Sequence, residues 1–483
     1  MSTTVRAVPT GRLGGLVLTY LVLWVLGLAA GFWVLAAVVL FPVLLRSRLT
    51  AASAGLVVVA VALVLSAAIG SAAGYASADR FVGLAANVAV WVALAGMVCA
   101  AGRMDPAELR RLVRAVLTVG TLHSAVAVAA VALHPHLLPV PLLGRYASSL
   151  PPGVAAFTTN ELVVPGWLDG SVLRAVGMMG NPTWSGAVSA LTVLVLLSPA
   201  ARTWAAAPWR LLAGALCLVA VYLSYSRATQ IALAVAVLAV VLGQVWRAHR
   251  AGPAFVVACC GLLVAGVAAF APGVVDAVTT VNAARAGSAE SRGAIYTATL
   301  DRLAELGVPV LGYGLKPRGE GLVASIATHS TYLGLTFRAG LVGLLALLVC
   351  GVALWRACAA RSALPRAIVA TVAIWSVFED LDAGHLVPVF AVAALALARL
   401  DRLPAPAGEE EHHVRHDPLR PVAVRRPPPR LAFAGPPSGP APFGPGERPD
   451  PPADGARAGR PPGRGPAAGA GPGTPQAAGG DVP

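Results

Sequence analysis

Long apolar runs follow one another through most of this chain, and they restrict its possible folds more than any other feature. A helix rises about 1.5 Å per residue and needs about 20 residues to cross roughly 30 Å of hydrocarbon. Runs near that length fall at 13–29, 31–45, 54–72, 81–101, 112–133, 182–199, 209–225, 228–247, 254–271, 329–352, 364–378 and 385–400. No water-soluble core absorbs so many. With 57% hydrophobic residues, only 12% charged and a mean hydropathy of +0.74, the chain reads as an all-α polytopic membrane protein of about twelve transmembrane helices. That assigns 1–12 to a cytoplasmic N-terminus and 13–403 to the transmembrane domain. Beyond Leu403 the composition turns to Pro, Gly, Ala and Arg without apolar periodicity, so 404–483 is expected to be a disordered cytoplasmic tail.

The first two runs are separated only by Ala30 and Gly31 and could form one interrupted segment, which would invert everything downstream. The charges decide for two. Arg46 and Arg48, the run Arg103 to Arg114, Arg202 with Arg210, Arg247 with Arg250, and Arg356, Arg361 and Arg366 fall on alternate loops, all on one side if both termini are cytoplasmic. The net charge of +14 therefore follows membrane topology and does not point to nucleic acid. Five of the six cysteines lie within or at the ends of apolar runs and Cys358 just beyond one, without metal-ligand spacing. The pairs and triplets His134 with His136, and His412, His413 and His416, likewise lack partners for a metal site.

Two long loops then face outward. The loop 134–181 is rich in Pro and Gly and is expected to be an irregular cover. The loop 272–328 carries an amphipathic helix from about Ser288 to Leu306, with Ile295, Leu303 and Leu306 on its apolar side and Glu290, Asp301 and Glu305 on a wet one. Arg292, Arg302, Lys316 and Arg318 collect in that loop, and His329 stands where it re-enters hydrocarbon, with Thr328 as a candidate cap for the next helix.

If the spans bundle, Arg174, Arg227, Arg292 and His329 converge at the outer face. Arginine grips phosphate oxygens with two parallel hydrogen bonds and keeps its charge, so several around one cavity suit a diphosphate. A neutral histidine at a helix start can take a proton from a hydroxyl. The plainer alternative pairs these arginines with Glu161, Asp169, Glu290 or Glu379, or lets them snorkel to headgroups, and makes His329 an interfacial hydrogen-bonding residue. No P-loop, nucleophile elbow or paired-carboxylate metal motif is present, which disfavours a nucleotide-driven machine.

The succession RAVGMMGNP from Arg174 through Asn181 to Pro182, Ser226 with Arg227, Arg292 with Tyr296, Gly312-Tyr313-Gly314, HSTYL from His329, and GLVG from Gly340 to Gly343 resembles the O-antigen ligase and polysaccharide polymerase family over about residues 170–350. The resemblance implies a GT-C-like fold. It also implies transfer of a glycan from an undecaprenyl-diphosphate carrier to an acceptor hydroxyl of a glycan, lipid or protein outside the cytoplasmic membrane, without metal, nucleotide or other cofactor. Arg227 and Arg292 match arginines that hold the diphosphate, and His329 matches the histidine that orients or deprotonates the acceptor. Arg174, Asn181, Tyr296, Lys316, Tyr332 and Arg338 are the further substrate-binding candidates. Ser330 and Arg338 depart from the family, where asparagine and an acidic residue are common. The competing classes are a transporter or flippase for a lipid-linked sugar or other anionic solute, which predicts internal repeats and ionisable residues at mid-membrane, and a scaffold that recruits a partner through its tail.

Overall fold

The computed structural model describes residues 12–72, 78–134, 141–149, 158, 161–165, 172–248, 257, 286–317, 325–381 and 384–403. Their helices are α1 (Leu13–Leu26), α2 (Phe32–Leu45), α3 (Ala51–Ala72), α4 (Ala78–Ala101), α5 (Pro106–Ala132), α6 (Pro182–Leu196), α7 (Ala207–Leu223), α8 (Arg227–Ala248), α9 (Ala286–Leu306), α10 (Thr331–Ala357), α11 (Leu364–Phe378) and α12 (Val387–Arg402). Eleven of these coincide with expected spans and α9 with the expected amphipathic helix. Apart from residue 257, the expected span 254–271 lies outside the described residues, as do 1–11 of the expected cytoplasmic N-terminus, the tail 404–483, Arg318, His136, Asp169, Cys259 and Cys260. Among the described residues five helices are long and apolar enough to cross a membrane by themselves, and α1, α2, α6, α7 and α11 are shorter apolar helices.

Gly27, in the left-handed conformation at φ +82, closes α1 by donating its N–H to the carbonyls of Leu23 and Trp24. A 3-10 turn at Ala29–Gly31 then starts α2, so the two runs form separate helices. Packing order follows apolarity. α6 and α12 are buried almost all round and form the centre, whereas α2, α7, α8 and α10 leave Leu45, Leu211, Ile231 and Leu345 exposed. A helix apolar on every side must be enclosed, and an outer surface this rich in exposed aliphatics suits hydrocarbon. Cys99, Cys217, Cys350 and Cys358 are free and buried in this packing.

One end of the bundle is held by arginines that cap helix carbonyls. Arg103 Nη2 donates to the Arg46 carbonyl at 2.8 Å, Arg399 to that of Ala101, and Arg402 Nε to that of Ala359 at 2.9 Å. Nearby, Gly14 of α1 packs on the backbone of Arg111, and α5 opens with a capping box between Asp105 and Glu108. The opposite end gathers the starts of α6, α8 and α10, the end of α11 and the helix α9. Part of the 134–181 loop departs from the irregular cover expected: Val163–Pro165 (β1) and Leu173–Ala175 (β2) form an antiparallel pair that places Arg174 opposite Val164.

Candidate functional site

α11 ends at Glu379, whose extended backbone turns the chain away from the helix while its N–H still reaches the Trp375 carbonyl at 3.1 Å. Its side chain is 4% exposed and is shared. Oε1 accepts from Arg292 Nη2 at 2.6 Å, and Oε2 stands 3.8 Å from His329 Nδ1. Its main-chain carbonyl accepts from the Thr331 N–H at 3.1 Å and the Thr331 hydroxyl at 2.8 Å, which docks the start of α10 onto the end of α11. Burial pushes the Glu379 carboxyl up, but the His329 ring, the Arg292 guanidinium and the Thr183 hydroxyl outweigh it, and the net shift is downward. The sign follows: a depressed carboxyl contributes stability above its unfolded value, near 4.5, and loses it as pH falls through the folded one. Acidification should therefore destabilise this end of the bundle, seen as a lower thermal midpoint once the pH falls far enough to protonate Glu379.

His329 sits at φ +61, a left-handed conformation uncommon for histidine. Tyr296 of α9 holds that backbone by donating its hydroxyl to the His329 carbonyl at 2.5 Å. Burial beside Glu379 and Asp380 raises the Tyr296 phenol above its ordinary range, against the opposing pull of Arg292, so it stays a donor at neutral pH. With Nδ1 facing Glu379, the imidazole Nε2 is the ring atom directed away from the carboxylate. At 3.8 Å the Nδ1–Oε2 approach is a charge–ring contact, longer than a hydrogen bond. Ser330, not Thr328, caps α10, accepting from the Leu333 N–H at 3.3 Å; the Thr328 hydroxyl instead donates to the Ser325 carbonyl.

Asp380, the next residue, carries a second cluster. Lys316 Nζ pairs with its Oδ2, and Arg338 Nη2 approaches Oδ1 at 3.4 Å, with all three side chains largely buried. Arg338 Nε also donates to the Gly334 carbonyl at 3.2 Å.

Arg227 is the first residue of α8 and is half-buried. The turn just before it packs on α6: a Cβ on Gly186 would meet Ser224 and Ser226, one turn from Thr183, which bonds Glu379. Arg174 lies across the same turn, with Nε and Nη2 on the Ser224 carbonyl at 3.2 and 3.1 Å. Asn181 caps α6 by accepting from the Thr183 N–H at 2.8 Å. Tyr332 points down the bundle, its hydroxyl on the Ala373 carbonyl at 3.1 Å. There it joins Trp91, Ser376 and Leu381 in lining an apolar cavity of about 350 Å³ between α3, α4, α10, α11 and α12.

Of the sequence candidates, the structure therefore brings Arg292, Tyr296 and His329 together around Glu379, and Lys316 and Arg338 around Asp380. Arg174 and Asn181 hold the turns that carry their neighbours, and Arg302 pairs with Glu305 on the exposed side of α9. Glu379 and Asp380 were absent from the candidate set, although Glu379 figured as a possible arginine partner. Their sequence signal is two adjacent acids closing an apolar run.

A helical polytopic membrane protein with a polar, arginine-bearing cluster at one end of its bundle is the class that fold and site define. Within it, residues 212–348 match the family model described as O-Antigen ligase, and the resemblance carried by the motifs holds over that segment. The match runs from α7 into α10, contains Arg227, Arg292 and His329, and stops short of Glu379. No curated protein and no solved structure matches the chain.

Proposed function

We propose that this protein is a membrane glycosyltransferase of the O-antigen ligase or polymerase type, which moves a glycan from an undecaprenyl diphosphate to an acceptor hydroxyl at the outer face of the cytoplasmic membrane. The observation that carries the reading is the sharing of one buried carboxylate, Glu379, by an arginine and a histidine that lie 37 positions apart in the chain. In this scheme His329 Nε2 takes the acceptor O–H proton, and the freed oxygen pair forms the new bond to the anomeric carbon. The bond from that carbon to the diphosphate oxygen breaks, and its electron pair leaves with the lipid diphosphate. Arg292 and Arg227 stabilise the charge on that leaving group, and the carrier's own glycosyl–diphosphate bond supplies the driving force in place of a nucleotide. The apolar cavity beneath Tyr332 is suited to the hydrocarbon of the carrier.

Transport of an anionic solute is less well supported, because Arg227 starts a helix, His329 and Lys316 stand in loops, and Arg292 lies in the amphipathic α9; Arg338 is within α10, two turns from its start. Arg227→Lys separates charge from geometry. A lysine keeps the positive charge but not the two-pronged donor, so kcat/KM for the lipid-linked donor should fall about tenfold to a hundredfold, the loss of one or two charge-assisted hydrogen bonds. Radiolabelled transfer by purified protein measures it. A value equal to wild type would remove Arg227 from the diphosphate site.

A further inference from the structure

The two glycine motifs, Gly312-Tyr313-Gly314 and Gly340 to Gly343, meet in space. α10 is broken at Gly340, where φ is +67 and ψ is −166, a backbone region open essentially to glycine alone. In an unbroken helix the N–H groups of Leu341 and Val342 would bond the carbonyls of Phe337 and Arg338. Instead the segment Pro309–Gly314 passes through the gap and satisfies all four groups. Leu341 N–H donates to Pro309 at 3.0 Å and Val342 N–H to Val310 at 3.1 Å, while Phe337 and Arg338 accept from Tyr313 at 2.8 Å and Gly314 at 2.9 Å. The Ser66 hydroxyl of α3 donates to the Leu311 carbonyl and fastens the same strap from its other side. No side chain fits between these backbones: a Cβ on Gly340 would collide with Val310, on Gly312 with Arg338, and on Gly314 with Ala67.

We propose that this strap is a positioning element for the transfer reaction: it places the outer segment of α10, residues 331–339, independently of the rest of that helix, and so sets His329 against Glu379. The inference rests on the function proposed above. Its physical basis is that the strap holds the segment at both ends. Tyr313 and Gly314 bind its last carbonyls directly. Two residues further on, Lys316 pairs with Asp380, beside the Glu379 carbonyl that holds Thr331 at the segment's start. Broken helices leave peptide groups that must be re-bonded within the protein at membrane depth. Here the chain's own loop re-bonds them, so Gly340, the strap and Ser66 act on chemistry through the placement of His329.

The test compares wild type, Gly340→Ala and Ser66→Ala in the purified transfer assay, with amide hydrogen exchange at 309–314 and 341–342. Gly340→Ala should expel the strap, speed exchange at those amides and lower kcat by about 10- to 100-fold, the usual cost of a misplacement near 1 Å, with little change in KM for the donor. Its pH–rate profile should also shift, because the His329–Glu379 approach changes. Ser66→Ala touches no site residue and should show the same split at smaller size; it decides the matter if Gly340→Ala fails to accumulate in membranes. Faster exchange in the strap with wild-type kcat and an unmoved pH profile would overturn the proposal. Absence of transfer by wild type itself would sink the functional reading instead.

Discussion

Replacing His329 with alanine is expected to leave the protein inserted and abundant while glycan transfer falls by about 10²- to 10⁴-fold, the usual contribution of a positioned general base. The expectation of normal abundance comes from the bonds around this residue. Its backbone, not its ring, makes the contact that docks it, through the Tyr296 hydroxyl. The ring is 28% exposed and 3.8 Å from its carboxylate partner, so deleting it removes little packing. Hydrogen bonds of catalytic groups are often long before substrate binds and tighten in the complex. Transfer by His329→Ala at the wild-type rate would remove the base from the scheme.

Glu379→Ala should have the opposite profile, harming fold and activity together. Removing one partner of a buried ion pair costs on the order of 3–5 kcal/mol, here at the lower end because Arg292 is 31% exposed and can turn to water. The main-chain bonds from Thr331 persist in the variant, so the start of α10 stays attached while Arg292 and the His329 ring lose their common anchor. Thermal unfolding in detergent should show a lower midpoint, and transfer should be lost. Glu379→Gln keeps the shape and a hydrogen-bonding oxygen, so it should recover most of the stability and much less of the transfer. Equal activity in Glu379→Gln and wild type would mean that the carboxylate's charge has no part in the reaction.

The helices were legible because burial in hydrocarbon writes itself into composition: eleven expected spans fall on helices, 364–378 to the residue at both ends. α9 was legible from the spacing of Ile295 and Leu303, both buried, against Glu290, Asp301 and Glu305, all exposed; Leu306, read with the apolar side, is exposed as well. The site was legible in part. Arg292 and His329 are unusual where they stand, a charge and an imidazole next to apolar runs, so single positions flag them. Glu379 and Asp380 gave no such flag, since their meaning lies in partners dozens of positions away. Arg292 is 87 residues distant and Lys316 is 64. The break at Gly340 was hidden for a related reason. GLVG inside an apolar run reads as continuous helix, and only the strap that arrives from 309–314 makes the interruption stable. The plainer expectation for the arginines, pairing with one of the acids Glu161, Asp169, Glu290 or Glu379, is realised for Arg292 with Glu379. A guanidinium held by one carboxylate oxygen still has donors for a phosphate, and the pair keeps it in place.

The most direct measurement is incubation of the purified full-length protein with a lipid-diphosphate-linked oligosaccharide and candidate hydroxyl acceptors, with products resolved by mass. The expected products are an acceptor heavier by the whole oligosaccharide and one equivalent of lipid diphosphate released with it, both lost in His329→Ala. Movement of the intact lipid-linked donor across vesicles without any covalent product would contradict the proposed transfer.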